Sequence, residues 1–250
     1  MAILYVASEA SELKPFAAML TGLRKLNWPV DYAFEGILDG RRILLAANGA
    51  GPKLAARAVE VALRAVMVAE LSSSKLEAIV STGYCGALEA NLRESQIVVA
   101  KQLLDFAHTE TFDCTAIESD AAFAHGLLVS QDRVAMNSIE KRQLADAGAL
   151  AVDMESAGVA ARAKTAGLPF CCIKVVSDRA NESFRTDFNR LRTPEGRIAR
   201  GKIGLHAVTH PHLVPELLRL RRRTQDAAKA LGNFLVSCRI NIPRASTAPQ

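Results

Sequence analysis

Two carboxylates, Glu155 and Asp178, occupy positions where α/β enzymes often keep their chemistry. An Ala-rich segment with good helix propensity, Ser156 to Ala166, lies between two apolar runs, so the stretch from Ala151 to Glu182 is predicted to be strand, turn, helix and strand. Glu155 then lies at a helix N-terminus, and Asp178 at the carboxyl end of a buried strand, the sheet edge where ligands bind. Either acid alone is more often a helix or strand cap, so the pair carries the functional hypothesis.

The sequence VDMES, followed by VVSD, resembles the paired signature of the purine nucleoside phosphorylase and methylthioadenosine/S-adenosylhomocysteine nucleosidase superfamily. By this resemblance, Glu155 binds the ribose hydroxyls and Met154 packs on the sugar. Ser177 and Asp178 form the base-binding motif, in which Asp178 protonates or hydrogen-bonds the purine at N7. Breaking an N-glycosidic bond develops an oxocarbenium-like sugar and a negative base, so a sugar clamp and a nearby acid suit the reaction.

The first strand and helix supply a third candidate acid. Ala2 to Ala7 is predicted to be a strand, and Ser8 to Leu20 a helix with Glu9 and Glu12 near its start. The resemblance implies that Glu12 activates the water that attacks the anomeric carbon. Spacing alone does not separate Glu12 from Glu9, and the resemblance favours Glu12.

Gly49 and Gly51 lie in a loop that leads into a helix predicted from Leu54 to Leu71. Pro52 suits the first position of that helix, and amides at such a helix start can hold an anion or a polarised water. Plain strand-to-helix turns look the same. By the resemblance, this is the glycine loop near the attacking nucleophile.

A strand predicted from Leu76 to Ser81 is followed by a segment, Thr82 to Ala87, that resembles the superfamily's strand-end motif. Gly83 fits that motif, but Tyr84 stands where the superfamily has a serine. A phenol reaches further than a small hydroxyl and fills its space, so the ribose or phosphate contact does not transfer simply. The resemblance also makes Val134 a candidate contact in the purine pocket, although an apolar residue after a strand is usually core.

The sequence predicts a single three-layer αβα domain over residues 1–236, with a mixed, largely parallel central sheet. Tyr32 to Leu38 and Arg41 to Ala47 read as a hairpin joined at Asp39-Gly40. Ser183 to Lys202 is predicted to be a lid or an oligomer-facing segment. A basic amphipathic helix is expected over residues 213–236, and a flexible tail over 237–250.

The net charge of +5 is uneven, because residues 181–250 hold 13 basic and 5 acidic side chains, against 18 and 21 in residues 1–180. The basic excess is not interleaved with aromatic residues, which argues against nucleic-acid binding. Four arginines cluster on the C-terminal helix: Arg219, Arg221, Arg222 and Arg223. This cluster is either a solvated helix face or a contact to an anionic membrane surface.

Five cysteines form no CxxC or His/Cys ligand pattern, so neither a disulfide framework nor a zinc site is expected. The chain has no apolar run of about 18 residues and no signal-peptide pattern at its start, and we expect a cytoplasmic protein. No metal or cofactor is implied.

The sequence therefore predicts cleavage of the N-glycosidic bond of a purine nucleoside, most simply a 5′-modified adenine nucleoside. Hydrolysis with Glu12 as base and Asp178 as acid is favoured, because the first loop offers Glu9 and Glu12 where phosphorylases of the superfamily bring arginines. Phosphorolysis remains the alternative, including the hopanoid-associated phosphorylase branch, with inorganic phosphate as co-substrate. Lys53, Arg57 or a basic side chain of a partner subunit would then supply the positive charge that phosphate requires. A nucleoside-binding module without turnover is a further alternative. The resemblance also implies a homo-oligomer.

Overall fold

The computed structural model describes residues 1–67, 75–190, 192–193 and 214–242. The strands are β1 (Ala2–Ala7), β2 (Thr21–Lys25), β3 (Tyr32–Leu38), β4 (Arg41–Ala47), β5 (Leu76–Ala87), β6 (Ile97–Asp105), β7 (Glu110–Asp113), β8 (Ile117–Glu118), β9 (Ala124–Ser130), β10 (Ala149–Asp153), β11 (Phe170–Asp178) and β12 (Arg239–Ile240). The helices are α1 (Ala10–Ala17), α2 (Pro52–Met67), α3 (Ser138–Ala145), α4 (Ser156–Thr165) and α5 (Val214–Ser237).

Ten strands form one mixed sheet in the order β10-β9-β6-β11-β5-β1-β4-β3-β2, with β7 paired to β6. The central pairings of β1 with β4 and β5, and of β5 with β11, are parallel. Strand β10 pairs with β9 and also, in antiparallel register, with the end of β5. Strands β5, β11, β6, β9 and β10 therefore close on themselves, so the carboxyl ends of β5, β10 and β11 meet.

Helices cover both faces of the sheet, as predicted for a three-layer domain. On one face α1 and α5 bury a cluster that includes Leu13, Phe16, Leu231 and Phe234. On the other face the small residues of α2 and α4 pack on the sheet, among them Ala55, Ala58, Val59, Val159 and Ala163. The alanines allow these two helices to approach closely, which fixes where α4 begins.

Several elements differ from the predicted ones. Helix α1 begins two residues later and ends three residues earlier than predicted, α2 begins at Pro52, and β5 continues through Thr82 to Ala87 rather than ending at Ser81. The extra length of β5 follows from pairing on both sides, with β11 and with β10. Helix α3 was not predicted, because its polar sequence lacks an apolar stripe. Asn137 caps this helix by accepting from the amides of Ile139 and Glu140.

The predicted tail and lid fall partly outside the described residues. In the described part, Ser237 ends α5 and Arg239–Ile240 pair with Ile117–Glu118, so the chain stays on the fold to residue 242 rather than leaving it at 237. Parts of four predicted segments lie outside the described residues: 68–71 of the second helix, 191 and 194–202 of the lid, residue 213 of the C-terminal helix, and 243–250 of the tail. Within the described residues, no helix is both long and apolar enough to cross a membrane.

The predicted basic face of the C-terminal helix needs one correction. Arg219, Arg221 and Arg222 are exposed, but Arg223 is only partly exposed and bonds two acids. Its Nη2 donates to Glu182 Oε1 at 2.6 Å, and its Nη1 lies 3.0 Å from Glu94 Oε1. Arg223 therefore ties α5 to the segment after β11 rather than facing solvent freely.

Gly158 of α4 is required by the close contact between α4 and α2. A Cβ atom at this position would lie 2.0 Å from the backbone oxygen of Pro52, at the start of α2. Alanine normally stabilises a helix relative to glycine by about 1 kcal/mol. We expect Gly158→Ala to destabilise the protein instead, by about 1–3 kcal/mol, because two backbones must separate. Denaturant unfolding of both proteins measures this change.

Gly126→Ala is the matched control for that prediction. Its added Cβ would meet the end of the Leu150 side chain at 2.8 Å, and a side chain can move where a backbone cannot. We expect this variant to lose less stability than Gly158→Ala. Equal losses at the two positions would show that the helix contact does not set the requirement for glycine.

Candidate active site

A cavity of about 230 Å³ lies at the carboxyl ends of β1, β5, β10 and β11. Its lining brings together seven of the predicted site residues: Glu12, Tyr84, Val134, Met154, Glu155, Ser177 and Asp178. They come from five separate stretches of the chain, so the sheet topology is what gathers them. The predicted glycines Gly49, Gly51 and Gly83 shape the backbone around this lining.

Glu12 is a buried carboxylate held by three donors. Its side chain is on α1, directly after β1, and the residue is 2% exposed. Oε2 accepts from Ser8 Oγ at 3.0 Å and from the Glu9 amide at 2.7 Å, and Oε1 accepts from the Tyr84 amide at 2.9 Å. Burial raises the pKa of Glu12, although these hydrogen bonds oppose it. Glu12 is thus fixed in place and more basic than a solvated carboxylate.

Gly83 allows this arrangement. Its φ of 114° is one that side chains rarely adopt, and a Cβ here would lie 2.5 Å from Glu12 Oε1. Tyr84 follows, and its ring turns toward the C-terminal helix, where the hydroxyl donates to the backbone carbonyl oxygen of Thr224 at 2.9 Å. Burial raises the pKa of the Tyr84 hydroxyl, and the negative charge of Glu12 adds to this. Tyr84 therefore lines the cavity while its amide binds Glu12 and its hydroxyl binds α5.

Glu155 stands at the start of α4, as predicted, and is 6% exposed. Its Oε1 accepts from the Gly51 amide at 3.0 Å, so the predicted glycine loop contacts the predicted sugar-binding acid. Gly51 has a φ of 101°, and Gly49, with a φ of 106°, binds the Ser8 oxygen through its amide. Burial raises the pKa of Glu155 to about 8.

A buried ion pair that we did not predict lies beneath Glu12 and Glu155. Lys174 Nζ lies 2.7 Å from Asp153 Oδ2, and both side chains are 0% exposed. Lys174 also donates to the Thr82 oxygen at 3.0 Å. Burial alone would lower the pKa of Lys174, but the charge of Asp153, together with that of Glu155, outweighs it and raises the pKa. Lys174 therefore stays charged and lowers the pKa of Glu12 and of Glu155 from what burial alone would give.

Asp178 ends β11, as predicted, and is 7% exposed. Ser177 Oγ donates to its Oδ1 at 2.7 Å, which agrees with a paired Ser-Asp motif. Lys141 of α3, also not predicted, donates from Nζ to Asp178 Oδ2 at 2.5 Å and to the Arg179 oxygen at 2.6 Å. Both oxygens of the candidate acid are thus engaged by neighbouring side chains.

The remaining lining is mostly apolar. Its apolar residues include Val134, Ala135, Val152, Phe184, Phe188 and Leu220. The two phenylalanines pack edge to face at 5.4 Å between ring centroids. The amide and carbonyl of Val134 are bonded to the Asn189 side chain, so Val134 offers the cavity only its side chain. Such walls suit a flat base and an uncharged substituent.

The two lysines differ in how a sequence could reveal them. Lys174 interrupts an otherwise apolar strand, and a charged residue in a strand buried on both faces needs a buried partner. A lysine inside an apolar run is thus a signal that the sequence itself provides. Lys141 lies among Glu140, Arg142 and Gln143 on a polar helix, where nothing in the sequence separates it from a surface lysine. Within the described residues, no group of three potential metal ligands is present.

Comparison with known proteins identifies the family. The sequence profile described as the phosphorylase superfamily matches residues 2–135 and 115–203. The chain belongs to the phosphorylase superfamily. This membership confirms the predicted superfamily and the predicted enzyme class, a nucleosidase or nucleoside phosphorylase. A search of curated protein sequences gives no match.

Solved structures confirm the fold of this superfamily member. The 5′-methylthioadenosine/S-adenosylhomocysteine nucleosidase of Streptococcus pneumoniae, solved with a transition-state inhibitor, is 17% identical with a TM-score of 0.68, over 95% of this chain and 97% of that one. The S-adenosylhomocysteine nucleosidase of Streptococcus pyogenes is 19% identical to this chain, with a TM-score of 0.68 over 95% of both chains. A futalosine hydrolase mutant of Helicobacter pylori is 15% identical, with a TM-score of 0.67 over 95% of this chain and 97% of that one.

The raised pKa of Glu155 predicts how stability depends on pH. Between pH 5 and 8 the unfolded chain has released the Glu155 proton, because the ordinary pKa of a glutamate side chain is 4.5. The folded chain keeps this proton over the same range. The folded state then binds more protons, so this group makes stability fall as the pH rises through that window. We expect the melting temperature of Glu155→Gln to fall less than that of the wild type between pH 5 and pH 8.

Glu140→Gln is the control for this measurement. Burial alone would raise the pKa of Glu140, but hydrogen bonds from the Met136 amide and the Arg133 guanidinium lower it overall. This carboxylate is therefore ionised in the folded and the unfolded chain above pH 5. The melting temperature of the control should therefore follow the wild type across the window. Parallel curves for Glu155→Gln and the wild type would contradict a protonated, buried Glu155.

Proposed function

We propose that this member of the phosphorylase superfamily hydrolyses the N-glycosidic bond of a purine nucleoside, with Glu12 as base and Asp178 as acid. The observation that carries the proposal is the position of the Glu12 carboxylate. It fills the place where the Tyr84 amide, the Glu9 amide and the Ser8 hydroxyl converge. An anion of the protein thus occupies the donors that an anionic co-substrate would need.

Phosphate would find little free positive charge in the described part of the cavity. The two cations of the described lining, Lys141 and Arg133, are paired with Asp178 and Glu140. The Gly51 amide is bonded to Glu155, and the ammonium of Lys174 is bonded to Asp153 and to the carbonyl oxygen of Thr82. Lys53 and Arg57, the candidates for a missing charge, are exposed on α2 and are not among the lining residues. A dianion requires fixed positive charge, whereas a water molecule requires only a base.

The residues divide the reaction between them. Glu12 takes a proton from water as the water oxygen bonds to the anomeric carbon, and its raised pKa favours this transfer. Glu155 and Met154 bind the sugar. The bond between carbon and nitrogen breaks with its electron pair on the base, and Asp178 supplies a proton to the base. Water is consumed, and the free sugar and the protonated base are the products.

An adenine nucleoside with a modified 5′ position is the substrate class that the cavity favours. Its wall of Val134, Phe184, Phe188 and Leu220 is apolar and suits an uncharged 5′ substituent. Two of the neighbours are named as nucleosidases of 5′-methylthioadenosine or S-adenosylhomocysteine, and a third as a futalosine hydrolase. Phosphorolysis, including that of the hopanoid-associated branch, is the alternative. A module without turnover is less favoured, because Glu12, Glu155 and Asp178 all line the cavity.

The nucleophile can be tested with adenine release from 5′-methylthioadenosine in phosphate-free buffer and in buffer with added phosphate. We expect equal rates and free 5-methylthioribose as the product. Glu12→Gln keeps the size of the side chain and removes the base, so its rate should fall about a hundredfold or more in both buffers.

Glu9→Gln is the matched control for this assay, since Glu9 is on the same turn but its side chain is not among the lining residues. Its rate should stay close to that of the wild type. A rate that appears only with phosphate, with the sugar 1-phosphate as product, would replace hydrolysis by phosphorolysis. Binding of the nucleoside without release of adenine in either buffer would indicate the module without turnover.

A contact with an anionic membrane surface is a second proposal, supported by the first half of α5. Leu220 lines the cavity, while Val214 and Leu218 are 37% and 55% exposed on the same helix. Arg219, Arg221 and Arg222 are exposed beside them. Exposed apolar side chains flanked by arginines are the composition of a helix that lies on an anionic lipid surface. A membrane there would lie next to the cavity mouth.

Co-sedimentation with phosphatidylserine vesicles tests this contact. Each arginine near such a surface contributes about 1 kcal/mol, so the three should give reversible binding that salt weakens. Replacing Arg219, Arg221 and Arg222 with Gln should abolish co-sedimentation at low salt. The control replaces three exposed basic residues of α2, Lys53, Arg57 and Arg64, and should bind like the wild type. An equal loss of co-sedimentation in both variants would show that net charge, rather than the position of the three arginines, drives the binding.

A further inference from the structure

We propose that Lys141 is the positioning residue of the leaving-group acid, and that it holds the proton which Asp178 passes to the departing base. This inference rests on the proposed cleavage of the N-glycosidic bond. It adds a residue to the site and assigns it to one half of the reaction, the departure of the base.

The structure builds Lys141 into the site rather than onto the surface. The residue is 1% exposed, although its helix, α3, is polar. Asn137 caps that helix, which fixes the turn that carries Lys141. Its ammonium donates to Asp178 Oδ2 and to the Arg179 oxygen, and lies 5.6 Å from the centre of the Phe184 ring. Lys141 also belongs to the cavity lining.

The contacts of Asp178 define what Lys141 can do. The Ser177 hydroxyl donates to Oδ1 and the Lys141 ammonium donates to Oδ2, so both oxygens of Asp178 are acceptors, as they are in an ionised carboxylate. An ionised carboxylate has no proton to give to a base. The proton must therefore come through Asp178 from a group bonded to it, and the Lys141 ammonium is a charged donor at 2.5 Å.

The step balances without any co-reactant. As the bond between carbon and nitrogen breaks, its electron pair stays on the purine and raises the basicity of the ring nitrogens. A proton passes from Lys141 Nζ to Asp178 Oδ2, and Asp178 donates a proton to the purine. Lys141 is left as a neutral amine and Asp178 is again a carboxylate. Lys141 regains a proton from solvent when the base leaves.

A purely structural role explains the arrangement less well. Removing an ammonium and a carboxylate from water costs several kcal/mol each, and an apolar pair of similar volume is often at least as stable. The pair also lines the cavity, where a packing interaction has no need of charge. A buried charged pair that faces a ligand is more simply explained by what it does to that ligand.

A double-mutant cycle on adenine release from 5′-methylthioadenosine tests the inference. Lys141→Met, Asp178→Asn and the double variant are compared with the wild type. We expect each single variant to lose about a hundredfold or more in kcat, with KM changed less than about threefold. Because Lys141 acts through Asp178, the double variant should be no slower than Asp178→Asn within about threefold.

Lys164→Met is the matched control. Lys164 also pairs with a carboxylate, Glu110 at 2.8 Å, and lies 5.7 Å from the Phe112 ring, but its side chain is 68% exposed and is not among the lining residues. Its kcat should stay within about twofold of the wild type. A Lys141→Met variant that keeps kcat within threefold would overturn the inference, and so would losses that multiply in the double variant.

Folding and the proposed function are controlled separately. Lys141→Met leaves Asp178 buried without its cation and could unfold, but the double variant carries no charge at either position. If Lys141→Met alone does not fold, the comparison of the double variant with Asp178→Asn decides, and a further loss above tenfold rejects the inference. Absence of base release by the wild type would instead reject the proposed function, before any variant is considered.

Discussion

The buried ion pair between Lys174 and Asp153 is the interaction on which the active site depends. The proposed reaction uses carboxylates as a base and as a sugar-binding group, yet each carboxylate removed from water is unstable in its charged form. Lys174 lies at the centre of the sheet, bonded to Asp153 and to the Thr82 oxygen, and its charge acts on both Glu12 and Glu155. The remaining rise in the pKa of Glu155, to about 8, shows how much burial still opposes ionisation.

The junctions that carry the motifs could be predicted because their signals are local. An apolar run followed by an acid and an Ala-rich segment predicts a strand that hands over to a helix, and β10 and α4 meet at Glu155 in this way. Asp178 follows the same rule at the end of β11. The length of β5 could not be predicted, because its last residues are a strand only through pairing with β10, which is about 65 residues away in the chain.

The contact at Tyr84 shows why comparison of side chains alone misjudges this site. The tyrosine departs from the superfamily's serine, which suggested a disturbed contact to substrate. In the structure the phenol turns to the Thr224 oxygen on α5, and the group that serves the site is the backbone amide, bonded to Glu12. Any residue except proline supplies that amide. The requirement is carried by Gly83, whose backbone leaves room for the carboxylate.

The two buried lysines show how position separates a structural cation from one that can take part in a reaction. Lys174 is held by Asp153 and the Thr82 oxygen and is not among the residues that line the cavity, so its proton has no direct path to a ligand. Lys141 is equally buried, but it lines the cavity and is bonded to Asp178, the proposed acid. The same pairing of lysine with aspartate thus fixes charge in one place and offers a proton in the other, because only the second lysine lines the cavity.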